Sequence, residues 1–357
     1  MYTIGVTLTD DDTGTVSSST TTTITNVAPV IASLTNSSPD GGNAIMGLNA
    51  VTIAASFTDV GVLDTHKVSI NWGDGITTIG SVVQGSGNGS VSGSHIYATG
   101  GIFTITVTLT DDDGGTVTSK TTSVITGVGV VGDTLYVIGT DKDDHVTINQ
   151  AGSVYRVHAD FLPTGNFRDV PIAGISRIVV QACGGNDQVT ISSGISLPAL
   201  IDGGTGDDKL NGGNGTNIII GGDGNDDING GNARDILIGG KGSDRLVGNG
   251  DEDILIAGWT DYDKFDPISY YDALWLLMME WNRSNSQVDR RGHITGTSSG
   301  GLNGSVLLNS STVHDDLSQD KLTGSSGIDW FFANMSGGAF LDVITDRSVN
   351  ELLEELT

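Results

Sequence analysis

From Gly203 to Ile256 the polar and apolar positions recur every nine residues, as GGTGDDKLN, GGNGTNIII, GGDGNDDIN, GGNARDILI, GGKGSDRLV and GNGDEDILI. The eighth position is apolar throughout: Leu210, Ile219, Ile228, Leu237, Leu246 and Leu255. The sixth is Asp208, Asp226, Asp235, Asp244 and Asp253, with Asn217 the exception. Strand side chains alternate, so three residues centred on position 8 predict a short strand with one inward side chain. The glycine-rich residues between reverse the chain, because glycine reaches φ > 0 without steric cost. Two nonapeptides complete one coil, so turns 18 residues apart stack on the same edge. One edge then carries Asp208, Asp226 and Asp244, and the other Asn217, Asp235 and Asp253.

Positions 7 and 9 face outward, and the two sheets differ there. One reads Lys209/Asn211, Asp227/Asn229 and Arg245/Val247, a solvated face. The other reads Ile218/Ile220, Ile236/Ile238 and Ile254/Ile256, and needs a cover. The stretch Ile268–Trp281 supplies one at helical spacing, through Ile268, Tyr271, Leu274, Trp275 and Met278. A helix over 267–281, capped by Asp266 with Pro267 in its first turn, is expected to fold back on that sheet.

The nonapeptide G-G-x-G-x-D-x-U-x, with U apolar, resembles the repeats-in-toxin (RTX) calcium-binding family. That resemblance implies a parallel β-roll, or β-helix solenoid, that takes Ca2+. The residues implied as ligands are Asp208, Asp226, Asp244, Asp235, Asp253 and Asn217, with the turn glycines Gly204, Gly206, Gly222, Gly224, Gly240 and Gly242. Elementary electrostatics agrees with it. Carboxylates stacked about 4.8 Å apart repel by roughly 3 kcal/mol per pair at an effective dielectric near 20. Calcium, which wants six to eight oxygens, removes that repulsion. The Asp208–Asp244 row keeps its consensus. The other has Asn217, Ala233, Asn249 and Asp251 in consensus places, so its sites should be fewer or weaker.

Upstream the pattern is that of alternating strands. Residues 2–27 repeat residues 103–128 without a gap, YTIGVTLTDDDTGTV against FTITVTLTDDDGGTV, which implies tandem β modules. WGDG at 72–75, His95-x-Tyr97 and the run FTITVTLTD resemble the polycystic-kidney-disease (PKD) family, whose fold is an immunoglobulin-like β-sandwich. The expected fold is therefore all-β: an Ig-like sandwich followed by a parallel β-roll, with short helices in the C-terminal region. In order, the divisions are 1–27, the last strands of a truncated PKD-like module; 28–128, a complete one; 131–202, a degenerate solenoid; and 203–256, the RTX roll. A helical insertion with a Gly/Ser-rich loop follows at 257–313. Resumed repeats with a C-terminal capping helix, read from Ser348-x-x-Glu351 before LLEEL, occupy 314–357. Position 6 of the degenerate repeats falls on Asp144, Asp187, Asp320, Asp329 and Asp342. Trp72 reads as a core residue, and Asp111, Asp112 and Asp113 as a solvated hairpin, with a calcium role there as the alternative.

Composition narrows the function classes. A net charge of −27 argues against nucleic acid and anionic membranes. Cys183 is the single cysteine, so no internal disulfide is available, and metal ions are the usual staple of a repeat fold in its place. No apolar run is long enough for a transmembrane helix. Met1 opens directly onto a strand pattern, which reads as the C-terminal part of something longer. GTSSG at 296–300 fits G-x-S-x-G around Ser298, but that elbow needs a strand before it and a helix after it. The six histidines show no zinc spacing, and Asp261-x-Asp263 lacks the rest of an EF-hand. The expectation is a non-enzymatic, calcium-dependent structural or adhesive segment of a secreted or cell-surface protein, with calcium ions and other modules or surface components as partners. The alternative is the non-catalytic C-terminal part of a secreted RTX-type hydrolase or toxin.

Overall fold

The computed structural model describes residues 2–23, 25–39, 44–162, 165–263, 270–336 and 340–356. They fall into two compact units. The first comprises Met1–Thr35, Thr52–Ser94 and Ile105–Thr121, the second Asn36–Val51, His95–Thr104 and Thr122–Thr357.

Strands of the first unit alternate buried and exposed positions, as in Val51–Thr58. His66–Asn71 pairs antiparallel with Gly101–Asp111, setting Val68 opposite Leu109 and Ile70 opposite Val107. These side chains, with Ile53, Phe57 and Trp72, are buried. Trp72 is a core residue whose Nε1–H donates to Thr78 Oγ1 at 2.9 Å. Tyr2–Thr9 and Thr15–Thr22 form an antiparallel hairpin whose described residues are all exposed. Asp111 is not solvated, contrary to the sequence expectation: it is buried and accepts from Asn26 Nδ2 and Gly115 N–H.

The second unit is a coil of two sheets, each of nine strands among the described residues. Neighbouring strands of the repeat region pair in parallel at a shift of 18, setting Leu210, Ile228 and Leu246 in one row and Ile219, Leu237 and Leu255 in another. The position-8 side chains of both sheets meet in one buried core. The degenerate segments are further coils: His145–Ala151 pairs with Gln188–Ile191, and Arg245–Asn249 with Lys321–Ser325. The insertion therefore leaves the coil after Ile254–Ile256 and returns without breaking either sheet.

Inside the insertion, α1 (Tyr270–Trp281) covers the isoleucine sheet. Ile218, Ile220, Ile236, Ile238, Ile254 and Ile256 are fully or almost fully buried against Leu274, Leu277, Met278 and Trp281, with Trp275 partly buried beside them. The expected cap at Asp266 and Pro267, Ile268, and the side chain of Tyr271 lie outside the described residues. On the opposite sheet Lys209 and Arg245 stay in water, Arg245 pairing with Asp227. A second helix, α2 (Gln287–Thr295), lies where the sequence reading has only a loop. Its signals were present: Ser286 Oγ accepts from Asp289 N–H at the start, and Gly296 at φ 80° ends it.

The C-terminal helix expected from Ser348-x-x-Glu351 is not formed. Ser348 N–H does donate to Glu351 Oε2, but Leu352–Glu355 is a strand, parallel to Trp330–Ala333. Five residues cannot repay helix nucleation, whereas the open sheet edge presents ready backbone partners.

Candidate metal centre

Position 6 of each repeat immediately precedes an inward-facing strand, and this sets its side chain. The aspartates do not project from the coil's edge; Asp208, Asp226, Asp235, Asp244 and Asp253 are at most 2 % exposed. Each folds back over the first glycine of its own repeat. A Cβ on Gly203, Gly221 or Gly239 would come within 2.2, 2.3 or 2.5 Å of the carboxylate of Asp208, Asp226 or Asp244. The first consensus glycine is thus a space requirement. The second and fourth are conformational, since Gly204, Gly206, Gly222, Gly224, Gly240 and Gly242 all have φ between 97° and 149°. Their turns stack closely: the Cβ position of Gly222 is 2.1 Å from Gly204 O, and that of Gly224 is 2.0 Å from Gly206 O.

The carboxylates form two ladders. On the intact edge the N–H of Asp208 donates to Asp226 Oδ1 at 2.7 Å, and that of Asp226 to Asp244 Oδ1 at 2.8 Å. The ladder extends backward through Asp187 to Asp144 and forward through Asp320 to Asp342. On the other edge Asn217, Asp235, Asp253 and Asp329 are linked in the same way. Asp253 is therefore not the last rung of its row, because Asp329 follows it across the insertion. Spacing alone could not reveal this, since 76 residues separate the two.

The end rungs Asp144 and Asp342 use both oxygens, Oδ2 accepting from Thr140 N–H and Asn334 N–H, whereas the inner rungs use one and leave the other stranded. Oδ2 of Asp187, Asp208, Asp226, Asp244 and Asp320, and of Asp235, Asp253 and Asp329, is buried without a hydrogen-bond partner. Burial, reinforced by neighbouring carboxylates, pushes Asp208 and Asp226 up to about 7, and Asp187 and Asp244 up to about 8. Asp253 is pushed to about 10, Asp320 to about 9 and Asp329 to about 6, and Asp235 lies well above the usual range. Such a carboxylate needs either a proton or a cation.

The second edge supplies its own positive partners. Asn217 Nδ2 donates to Gly215 O at 2.8 Å, Gly213 O at 3.3 Å and Asp235 Oδ1 at 3.0 Å. Two turn carbonyls and a carboxylate are a cation's donor set, and here an amide occupies it. Asn217, expected among the ligands, thus sits where an ion would. Arg234 pairs with Asp251, which stands in place of a consensus glycine, and with the neighbouring Glu252. Asn249 and Asp251 nonetheless keep the left-handed turn, at φ 79° and 68°. On the intact edge Lys241 pairs with Asp223 at the surface instead of with the ladder.

Stranded buried oxygens, glycine carbonyls and no internal cation on one edge fit a hard divalent ion. Residues 202–237 and 229–261 match the family described as RTX calcium-binding nonapeptide repeat, in four copies. The chain carries RTX repeats. Binding of calcium in a structural role follows from these repeats. No curated protein matches the chain. The RTX match stops at residue 261, whereas the ladder of aspartates continues to Asp342.

Elsewhere in the chain, Asp59, Asp64 and Asp111 of the first unit bring oxygens within 4.8 Å of one another. Asp59 is bonded to His66 and Gly61 N–H, and Asp111 to Asn26 and Gly115, so neither buried carboxylate is left wanting a ligand. Ser298 follows α2 and its N–H returns to Gly292 O, so a helix precedes the serine where the elbow needs a strand. His314 pairs with Asp261 and stacks on Trp259 at 4.1 Å.

The raised values set a pH dependence for the metal-free chain. A carboxylate whose folded value lies above its unfolded one holds its proton longer in the fold. Its contribution is intact near pH 4 and is lost as pH rises towards 8. In chelator the melting temperature should therefore fall between pH 5 and pH 8, and saturating calcium should abolish or reverse that slope. Thermal melts followed by circular dichroism check this, and a metal-free chain more stable at pH 8 than at pH 5 would contradict it.

Proposed function

We propose that this chain is a non-enzymatic, calcium-stiffened segment of an extracellular or cell-surface protein, serving structure and adhesion. The observation that carries the reading is the intact-edge ladder, with its buried and unpartnered carboxylate oxygens. In this reading Asp208, Asp226 and Asp244 hold calcium with turn carbonyls from Gly204, Gly206, Gly222, Gly224, Gly240 and Gly242. Asp235 and Asp253 make a weaker set beside the Asn217 amide. The first unit, with its PKD-like WGDG and FTITVTLTD motifs, acts as a spacer. RTX proteins are typically secreted, and calcium outside cells would trigger folding after export. Among the described residues no helix is long and apolar enough to cross a membrane.

Two substitutions separate the edges. Asp226→Ala removes a rung that faces a neighbour on each side and should lower the number of calcium ions bound. Asn217→Ala should cost about 1–3 kcal/mol, because it strands the buried groups it bonded, while leaving the calcium count unchanged. Native mass spectrometry counts the ions and denaturant unfolding gives the stability. For adhesion, beads coated with the chain should adhere to a cell or polysaccharide surface in calcium and release in chelator. Equal adhesion in both would sink the adhesive reading and leave the structural one standing.

A further inference from the structure

Beside the coil, where the insertion departs, lies a cleft of about 680 Å³. Its walls come from the outer side of the turns at Gly204, Gly222 and Gly240, from Ile220, and from Trp259 of the insertion. The ladder aspartates do not line it, although Gly204, Gly222 and Gly240, whose carbonyls the calcium reading uses, do. Its volume is in the range of small-molecule sites and is far larger than a single ion requires. Trp259 belongs to a two-strand pairing, Trp259–Thr260 with Val313–His314, and its ring is stacked on His314, itself held by Asp261. The aromatic wall is thereby fixed.

The chemistry of the lining is one-sided. Asp141, Asp202, Asp223 and Asp263 contribute four carboxylates against the single Lys241, which is already paired with Asp223 at 2.7 Å. Asp202 is 8 % and Gln181 6 % exposed. Gln181 is among the lining residues, and its Oε1 is buried and accepts no hydrogen bond. Four carboxylates against one paired lysine disfavour an anion. A ligand that complements the site must bring donors and positive charge, together with apolar surface for Ile220 and Trp259. Tryptophan is also the best aromatic partner for a cation.

We propose that this cleft binds a small organic cation, an ammonium or guanidinium group carried on an apolar stem. Asp202 and Gln181 would receive its donors and Trp259 its stem. Two sources share this chemistry, a free polyamine and the Lys or Arg side chain of a partner protein.

The test is calorimetry on the full chain at saturating calcium, with spermidine and N-acetyl-arginine amide as probes. Asp202→Asn should weaken binding at least about tenfold, the loss expected for a hydrogen bond to a charged group. Lys241→Glu, which removes the one positive side chain of the lining, should tighten it by up to about fivefold. Asp227→Asn, on the solvated sheet away from the cleft, should change nothing. Tighter spermidine binding assigns a free amine, and tighter arginine-amide binding assigns a partner's side chain. Binding of neither probe overturns the proposal. So does equal weakening by Asp202→Asn and Asp227→Asn, which would show only a diffuse ion atmosphere. Because every arm is run with calcium bound, failure here is distinct from failure of the calcium reading.

Discussion

Chelating calcium should unfold the coil and leave the strands of the first unit in place. Residues 203–256 carry nine Asp and one Glu against two Lys and two Arg, a surplus of six negative charges. The ladder carboxylates among them are buried with one oxygen unpartnered. Without an ion at neutral pH, folding must either protonate them or bury repelling charges, and both oppose the fold. With the ion, binding free energy becomes folding free energy, about 4 kcal/mol per site when calcium stands a thousandfold above its Kd. Circular dichroism should lose part of its β signal in EDTA and regain it with calcium. Hydrogen exchange should locate the loss in the strands from Ala199 to Ile256 and spare those of the first unit. Equal β content with and without calcium would refute the metal's structural role.

The second large effect is expected at the isoleucine sheet. Ile236 lies between Ile218 and Ile254, is fully buried, and belongs to the cluster that receives Leu274, Leu277 and Trp281 of α1. Ile236→Ala should cost about 2–5 kcal/mol through lost burial and the cavity left behind. Ile236→Asp should prevent the coil from folding even in saturating calcium, since an unpaired charge would be buried at a site that no ion can reach. Ile4→Asp, on the exposed hairpin, should stay within about 0.5 kcal/mol of the parent. Denaturant unfolding at saturating calcium checks all three. A folded Ile236→Asp chain would mean that α1 does not hold that sheet closed.

The coil itself was legible because its signals are local. A position-8 apolar residue every nine places sets an inward strand side chain, and glycines set the turns, so the shift of 18 needs no distant information. The cover on the isoleucine sheet was legible for a related reason: an apolar outer face and an apolar helix directly after it leave few other arrangements. Other features depend on what tertiary structure places beside a residue. Ile4, Val6 and Leu8 are 51, 65 and 69 % exposed, whereas their repeat counterparts Ile105, Val107 and Leu109 are fully buried. Nearly the same words thus have opposite burial, because only the second set has a facing sheet. LLEEL reads as helix, yet the strand at Trp330–Ala333 offers its backbone and takes it as a strand. The aspartates' position was given by spacing, but their burial, the continuation of both ladders across the insertion, and the capture of one rung by Asn217 were not. Those follow from which groups the fold brings within hydrogen-bond distance, and a stranded carboxylate oxygen is defined only when every neighbour is in place.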